Sequence, residues 1–191
     1  MFAIFSYGAR ELPLATAMAG ALSAAMIPQI SENINTGLQA LKTRSTRLMH
    51  FIFPIGIVLV AINHILFPII FNPDFQQSAL VFNVYLLIII SRLIFPQSVL
   101  IAKKETTPML WISIVELIIN VVLSLILIQQ FGIVGVAFAT FIAYLFEKIA
   151  IAVVVKNKFG IAFSEYTEVR WLGIYSFVLI GVYVVVSWLR H

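Results

Sequence analysis

The sequence predicts an all-α protein, a polytopic transmembrane bundle of about six helices, and three observations predict it. The 191 residues are 62% hydrophobic and 10% charged, with a mean hydropathy of +1.06, against about 45–50% apolar and 25% charged in soluble domains. The apolar residues gather in runs of about twenty, the length at which a helix crosses about 30 Å of hydrocarbon. Two such runs lie back to back between Met109 and Val155, separated only by the short turn around QQFG.

Six spans follow in order: Leu12 to Ile30, Leu48 to Phe71, Ala79 to Ala102, Met109 to Gln129, Ile133 to Val155 and Trp171 to Leu189. Each is read as a helix, because a spanning helix satisfies all its backbone groups internally. The first is the least apolar. Its Ala and Gly content, with Thr16 and Ser23, suits a helix packed closely among neighbours. Pro13, Pro28, Pro54, Pro68 and Pro96 lie within or at the edges of spans. Each removes a backbone donor and favours a kink, either as ordinary packing or as a transporter hinge. Gly132, Gly135 and Ala139 fall three and four apart on one face of the fifth span, where small residues let it pack tightly on the fourth.

Orientation is read from Lys and Arg. One set of connections holds Lys42, Arg44, Arg47, Lys103, Lys104, Lys156, Lys158 and Arg170, and the other side holds Arg10 and Arg190. The first set is therefore assigned to the cytoplasm, with both termini outside. The opening MFAIFSYGARELPL has neither a basic n-region nor a cleavage pattern. It reads as the end of an earlier helix, so the chain is expected to be the C-terminal part of a longer membrane protein; a short protein that dimerises is the other reading.

Ionisable residues inside the spans are the candidate functional groups, since each costs about 2.5–3.5 kcal/mol at membrane depth even on a lenient scale. Arg92 lies near the middle of the third span and must face protein or a wet cavity. Glu116 and Glu147 lie about 10–12 Å from the cytoplasmic ends of their own spans, within reach of Arg92. Lys148 lies at similar depth and can snorkel inward as an anchor. Glu116 and Asn120 are one turn apart on a common face, as a structural clamp or a cavity-facing pair. His64 beside Asn63 is either a satisfied polar pair or a proton relay. Arg10 reads from its position as an interfacial partner of Glu11.

Several function classes are excluded. The net charge of +4 is spread over short connections, with no continuous patch for nucleic acid. No cysteine is present, which removes disulfides, thiolate metal sites and a cysteine nucleophile. His50, His64 and His191 are scattered away from carboxylates, so neither a metal hydrolase nor a Ser or Thr nucleophile with its base is indicated. The reading is a non-enzyme with no cofactor and no bound metal, in the cytoplasmic membrane.

The segment YGARELPLATAMAGALSAAMIPQIS, with Tyr7, Arg10, Pro28 and Ser31, resembles a stretch of oligosaccharide-lipid flippases. KKETTPMLWISIVELIINVVLSLILIQQFGIVGVAFATFIAY, with Pro108, Glu116, Asn120, Gly132, Gly135, Ala137, Ala139 and Thr140, is similar to a late helix pair of the same proteins. From Ser6 to about Asn157 the chain resembles the C-terminal half of a polysaccharide biosynthesis flippase of the multidrug, oligosaccharidyl-lipid and polysaccharide exporter superfamily. The resemblance implies the C-terminal lobe of a two-lobed transporter. Residues 1–11 would end a preceding helix or form an outer loop, 12–157 would form the lobe with five transmembrane helices, and 158–191 would add a cytoplasmic loop and one further helix. It implies a polyprenyl-diphosphate-linked oligosaccharide as substrate, Arg10 and Arg92 as its contacts, and Glu116, Asn120, Glu147 and His64 as cavity or ion-pair residues. It also implies a partner: an N-terminal lobe or a separate subunit. A multidrug or cation antiporter of the same superfamily and a non-transporting membrane fragment or scaffold are the alternatives.

Overall fold

The computed structural model describes residues 9, 11–70 and 76–189, the side chains of 67, 68, 70, 76 and 77 aside. The described residues are helical, with no strand among them: α1 Pro13–Glu32, α2 Ile34–Ile70, α3 Gln76–Leu87, α4 Ile89–Arg92, α5 Pro96–Ala102, α6 Thr107–Phe159, α7 Phe163–Tyr166 and α8 Val169–Trp188. By length and composition four of these can cross a membrane, and a fifth crossing is available if the bent pair 78–92 and 96–102 forms one span. The protein is thus all-α with several apolar helices of membrane-spanning length, and the number that cross belongs to the proposal below.

The connection expected between the first two spans is itself helix. α2 starts at Ile34, well before the apolar run that begins at Leu48. Only Asn33 separates it from α1, in an extended conformation (φ −146°, ψ 112°). Its side chain accepts the Thr36 backbone N–H at 3.2 Å, satisfying one of the orphan donors of the new helix. The turn is so tight that a Cβ on Gly37 would meet Ile30 Cα at 2.6 Å. Leu38, Leu41, Ser45 and Leu48 recur at helical spacing and are buried. That amphipathic repeat carries Lys42, Arg44 and Arg47 on a continuous helix rather than a loop.

The expected third span is broken toward its C-terminal end. Pro96 has no N–H and disfavours α geometry at the residue before it, and Phe95 accordingly has φ −120°, ψ 40°. The helices on either side meet at 43°. Of the other prolines, Pro13 opens α1 within its first turn and Pro28 lies inside it. The first is a position where the missing donor costs nothing.

The fourth and fifth spans form a tight hairpin within α6. Gly132 breaks the helix with φ 59°, ψ −142°, a conformation open only to glycine. In a straight helix residues 127 and 135 would lie about 12 Å apart. Instead, a Cβ on Gly135 would overlap the Leu127 carbonyl, so the arms 107–131 and 133–159 fold back on each other. The second arm buries Gly135, Ala137, Ala139 and Ala143.

The core is built mainly by α1, α2, α4, α5 and the second arm of α6. Met26, Leu41, Met49, Ile52, Phe53 and Leu93 are among its fully buried side chains. α8 lies on α2, where Tyr175 stacks on Phe53 with ring centroids 5.2 Å apart.

Candidate functional site

Two helix ends create the centre of the site. The helical stretch ending at Arg92 is terminated by the Pro96 break, which leaves Arg92 in its last turn. α1 starts immediately after Glu11 and Leu12, because Pro13 takes the first helical position. A cation is favoured at a helix C-terminus and an anion near an N-terminus, so both ends suit their charges.

The two side chains meet fork to fork. Arg92 Nε donates to Glu11 Oε2 at 2.8 Å and Nη2 donates to Glu11 Oε1 at 2.5 Å. Such paired bonds to a carboxylate combine charge with fixed geometry. The guanidinium also lies over the Tyr144 ring, 4.7 Å from its centroid. Arg92 was expected near Glu116 or Glu147; both lie within its electrostatic range, but its direct partner is Glu11.

Around this pair the site widens across six further positions of α5 and α6. Lys148 is 6% exposed. Its Nζ donates to Gln97 Oε1 at 3.1 Å and lies 3.5 Å from Glu147 Oε2. It is turned into the bundle, which overturns the expectation that it snorkels. On the first arm of α6, Glu116 lies within electrostatic range of Asn120, Glu147 and Arg92. The Ser124 hydroxyl donates to Asn120 Oδ1 at 3.2 Å. Two cations, Arg92 and Lys148, thus stand among three carboxylates, Glu11, Glu116 and Glu147.

The remaining candidates are placed elsewhere. Arg10 lies outside the described residues. His64 is exposed on α2. Its neighbour Asn63 points the other way, buried, and donates to Ala79 O and Asn83 Oδ1, both at 2.9 Å. The structure therefore brings together Arg92, Glu116, Asn120 and Glu147 and leaves His64 apart. It adds Glu11, Gln97 and Tyr144, which sequence reasoning missed in this role. Tyr144 carried a usable signal, since 140, 144, 147 and 148 share one face of a helix. Glu11 and Gln97 carried none, because the break that aims them is a tertiary outcome.

No group of three or more His, Cys, Asp or Glu able to hold a metal ion occurs among the described residues. Compared with protein-family models, with curated proteins and with solved structures, the chain matches none.

Proposed function

We propose that the chain, with about six spans, forms part of a transporter that flips a polyprenyl-diphosphate-linked oligosaccharide across the cytoplasmic membrane, working as the C-terminal lobe of a two-lobed bundle. The single observation that carries a transport reading is the connected set of ionisable side chains at membrane depth, from Glu11 and Arg92 to Glu116, Glu147 and Lys148. Charges there mark substrate or ion paths more often than packing. The identity of the substrate rests on the sequence resemblance.

The geometry supports a specific mechanism. Glu11 holds one edge of the Arg92 fork, formed by Nε and Nη2. A diphosphate that takes this edge displaces the carboxylate, which in turn releases the first residues of α1. Substrate binding is thereby coupled to movement of a helix end, and alternating access follows if a second lobe rocks on this one. Arg10 would be the second phosphate contact.

A second reading is favoured by the excess of carboxylates over cations in the cluster: a drug or cation antiporter of the same general kind. The two readings separate in one experiment on the gene in its genomic context. For glycan export, Arg92→Ala and Arg10→Ala abolish transport, and Lys at either position rescues only in part because it lacks the fork. For antiport, Glu116→Gln and Glu147→Gln abolish drug resistance while glycan export persists. Full glycan export by both arginine-to-alanine variants would end the flippase proposal.

A further inference from the structure

Three cations stand close together near the start of α2, and they are not equivalent. Lys42 is fully engaged: its Nζ lies 3.2 Å from Glu168 Oε2 and donates to Ser164 O at 2.9 Å. Arg44 and Arg47 make no ion pair among the described residues. Arg44 Nη1 reaches only the Met26 sulfur, at 3.4 Å, a weak acceptor.

These two arginines lie where two hollows meet. One, of about 330 Å³, is polar and is lined by Thr36, Gln39, Ala40 and Thr43. The other, of about 290 Å³, is apolar and runs between α1 and α2 along Met18, Leu22, Leu48 and Phe51. Arg44 and Arg47 line both, and no other residue does. Arg47 is also the last charged residue before the apolar run that opens at Leu48. A polar recess, a pair of unneutralised guanidiniums and an apolar groove therefore follow one another along the helix axis in the order in which a lipid presents water-facing headgroup, phosphate and chain.

We propose that Arg44 and Arg47 bind the phosphate of an anionic membrane lipid whose chain lies in the groove of Met18, Leu22, Leu48 and Phe51. The chemistry is matched in each part. Guanidinium donates paired hydrogen bonds to phosphate oxygens, and it is the weakly hydrated cation suited to the membrane interface. Two uncompensated charges favour an anionic headgroup over a zwitterionic one. The groove directly beneath favours a lipid phosphate over a soluble one. Nothing in this depends on what the protein transports; it requires only that Leu48 onward be embedded in the bilayer.

The experiment is lipid retention by the purified 191-residue chain in detergent, read by native mass spectrometry with three probes: phosphatidylglycerol, phosphatidylcholine of the same chains, and inorganic phosphate as competitor. The wild type should retain one phosphatidylglycerol at least about tenfold more strongly than phosphatidylcholine, and millimolar phosphate should not displace it. Arg44→Gln with Arg47→Gln should erase that preference, while Lys103→Gln with Lys104→Gln should leave it within about twofold. Thr43→Glu, which sets a carboxylate beside the arginines without touching a buried residue, should also erase it and guards against misfolding of the double variant. Equal retention of the two lipids, wild-type preference in either arginine-site variant, or displacement by inorganic phosphate would each overturn the proposal.

Discussion

At the scale of single residues, the Arg92–Glu11 pair dominates. Each group was positioned by a different proline, Pro96 after one and Pro13 after the other, so the pair reports how two helix ends are aimed. Glu11→Ala should lower stability by about 1.5–3 kcal/mol, the range for hydrogen bonds to charged groups. Adding Arg92→Ala should cost much less than the sum of the two single changes, a coupling that a double-mutant cycle of thermal unfolding in detergent would measure. Additive losses would show that the pair is not formed. Tyr166 offers the opposite case. It is buried at the joint between α6 and α8, its phenol makes no hydrogen bond among the described residues, and burial pushes its pKa well above the usual tyrosine range. Because an unsatisfied buried hydroxyl costs about 1–3 kcal/mol, Tyr166→Phe should leave the unfolding temperature unchanged or raise it. A clear fall in that temperature would mean the hydroxyl has a partner after all.

At the scale of elements, the hairpin in α6 rests on two glycines with different duties. Gly132 supplies a backbone geometry that other residues resist, and Gly135 supplies room for the Leu127 carbonyl. Gly132→Ala should destabilise by about 1–3 kcal/mol through backbone strain. Gly135→Ile should do more damage, since backbone cannot move aside as a side chain can. Proteolysis of the purified variants would detect both, as faster cleavage near residue 132. This hairpin was legible in the sequence, because QQFG between two apolar runs and the small residues at 132, 135 and 139 speak locally. The helical start of α2 was less so. Its amphipathic repeat at 38, 41, 45 and 48 was present, but Lys, Arg and Thr between 42 and 47 look like a loop once a search is made for apolar runs alone. The broken third span was signalled by Pro96, whereas the direction in which the break turns Arg92 is set by neighbours far away in sequence.

At the scale of the whole molecule, the orientation proposed from the asymmetry of Lys and Arg puts the α1–α2 joint in the cytoplasm. A cysteine replacing Gln77 should then react with an impermeant maleimide in intact cells, and one replacing Thr43 only after permeabilisation. The reverse pattern would invert every orientation used above. Composition made the membrane character plain, since several helices present apolar side chains outward: Leu110, Leu117, Ile118 and Leu125 on the first arm of α6 are all more than half exposed. The candidate site was half legible. Arg92, Glu116 and Glu147 were visible as isolated charges in apolar runs, but that they meet each other, with Glu11 and Lys148, follows from a bend and a reversal that no single run encodes.

The one-residue joint at Asn33 has a mechanical consequence. Because α2 passes without a break from its basic stretch into its apolar run, residues 34–47 form a continuous helical extension about 21 Å long, which would project from the bilayer in the proposed arrangement. Any tilt of the membrane part is magnified at its tip: a rotation of about 10° moves that end by about 4 Å. Lys42, about halfway along, ties the lever to Glu168 at the threshold of α8. In the proposed orientation, motion of the membrane part and motion at the cytoplasmic surface would be geared together, with the Lys42–Glu168 tie as the tooth between them.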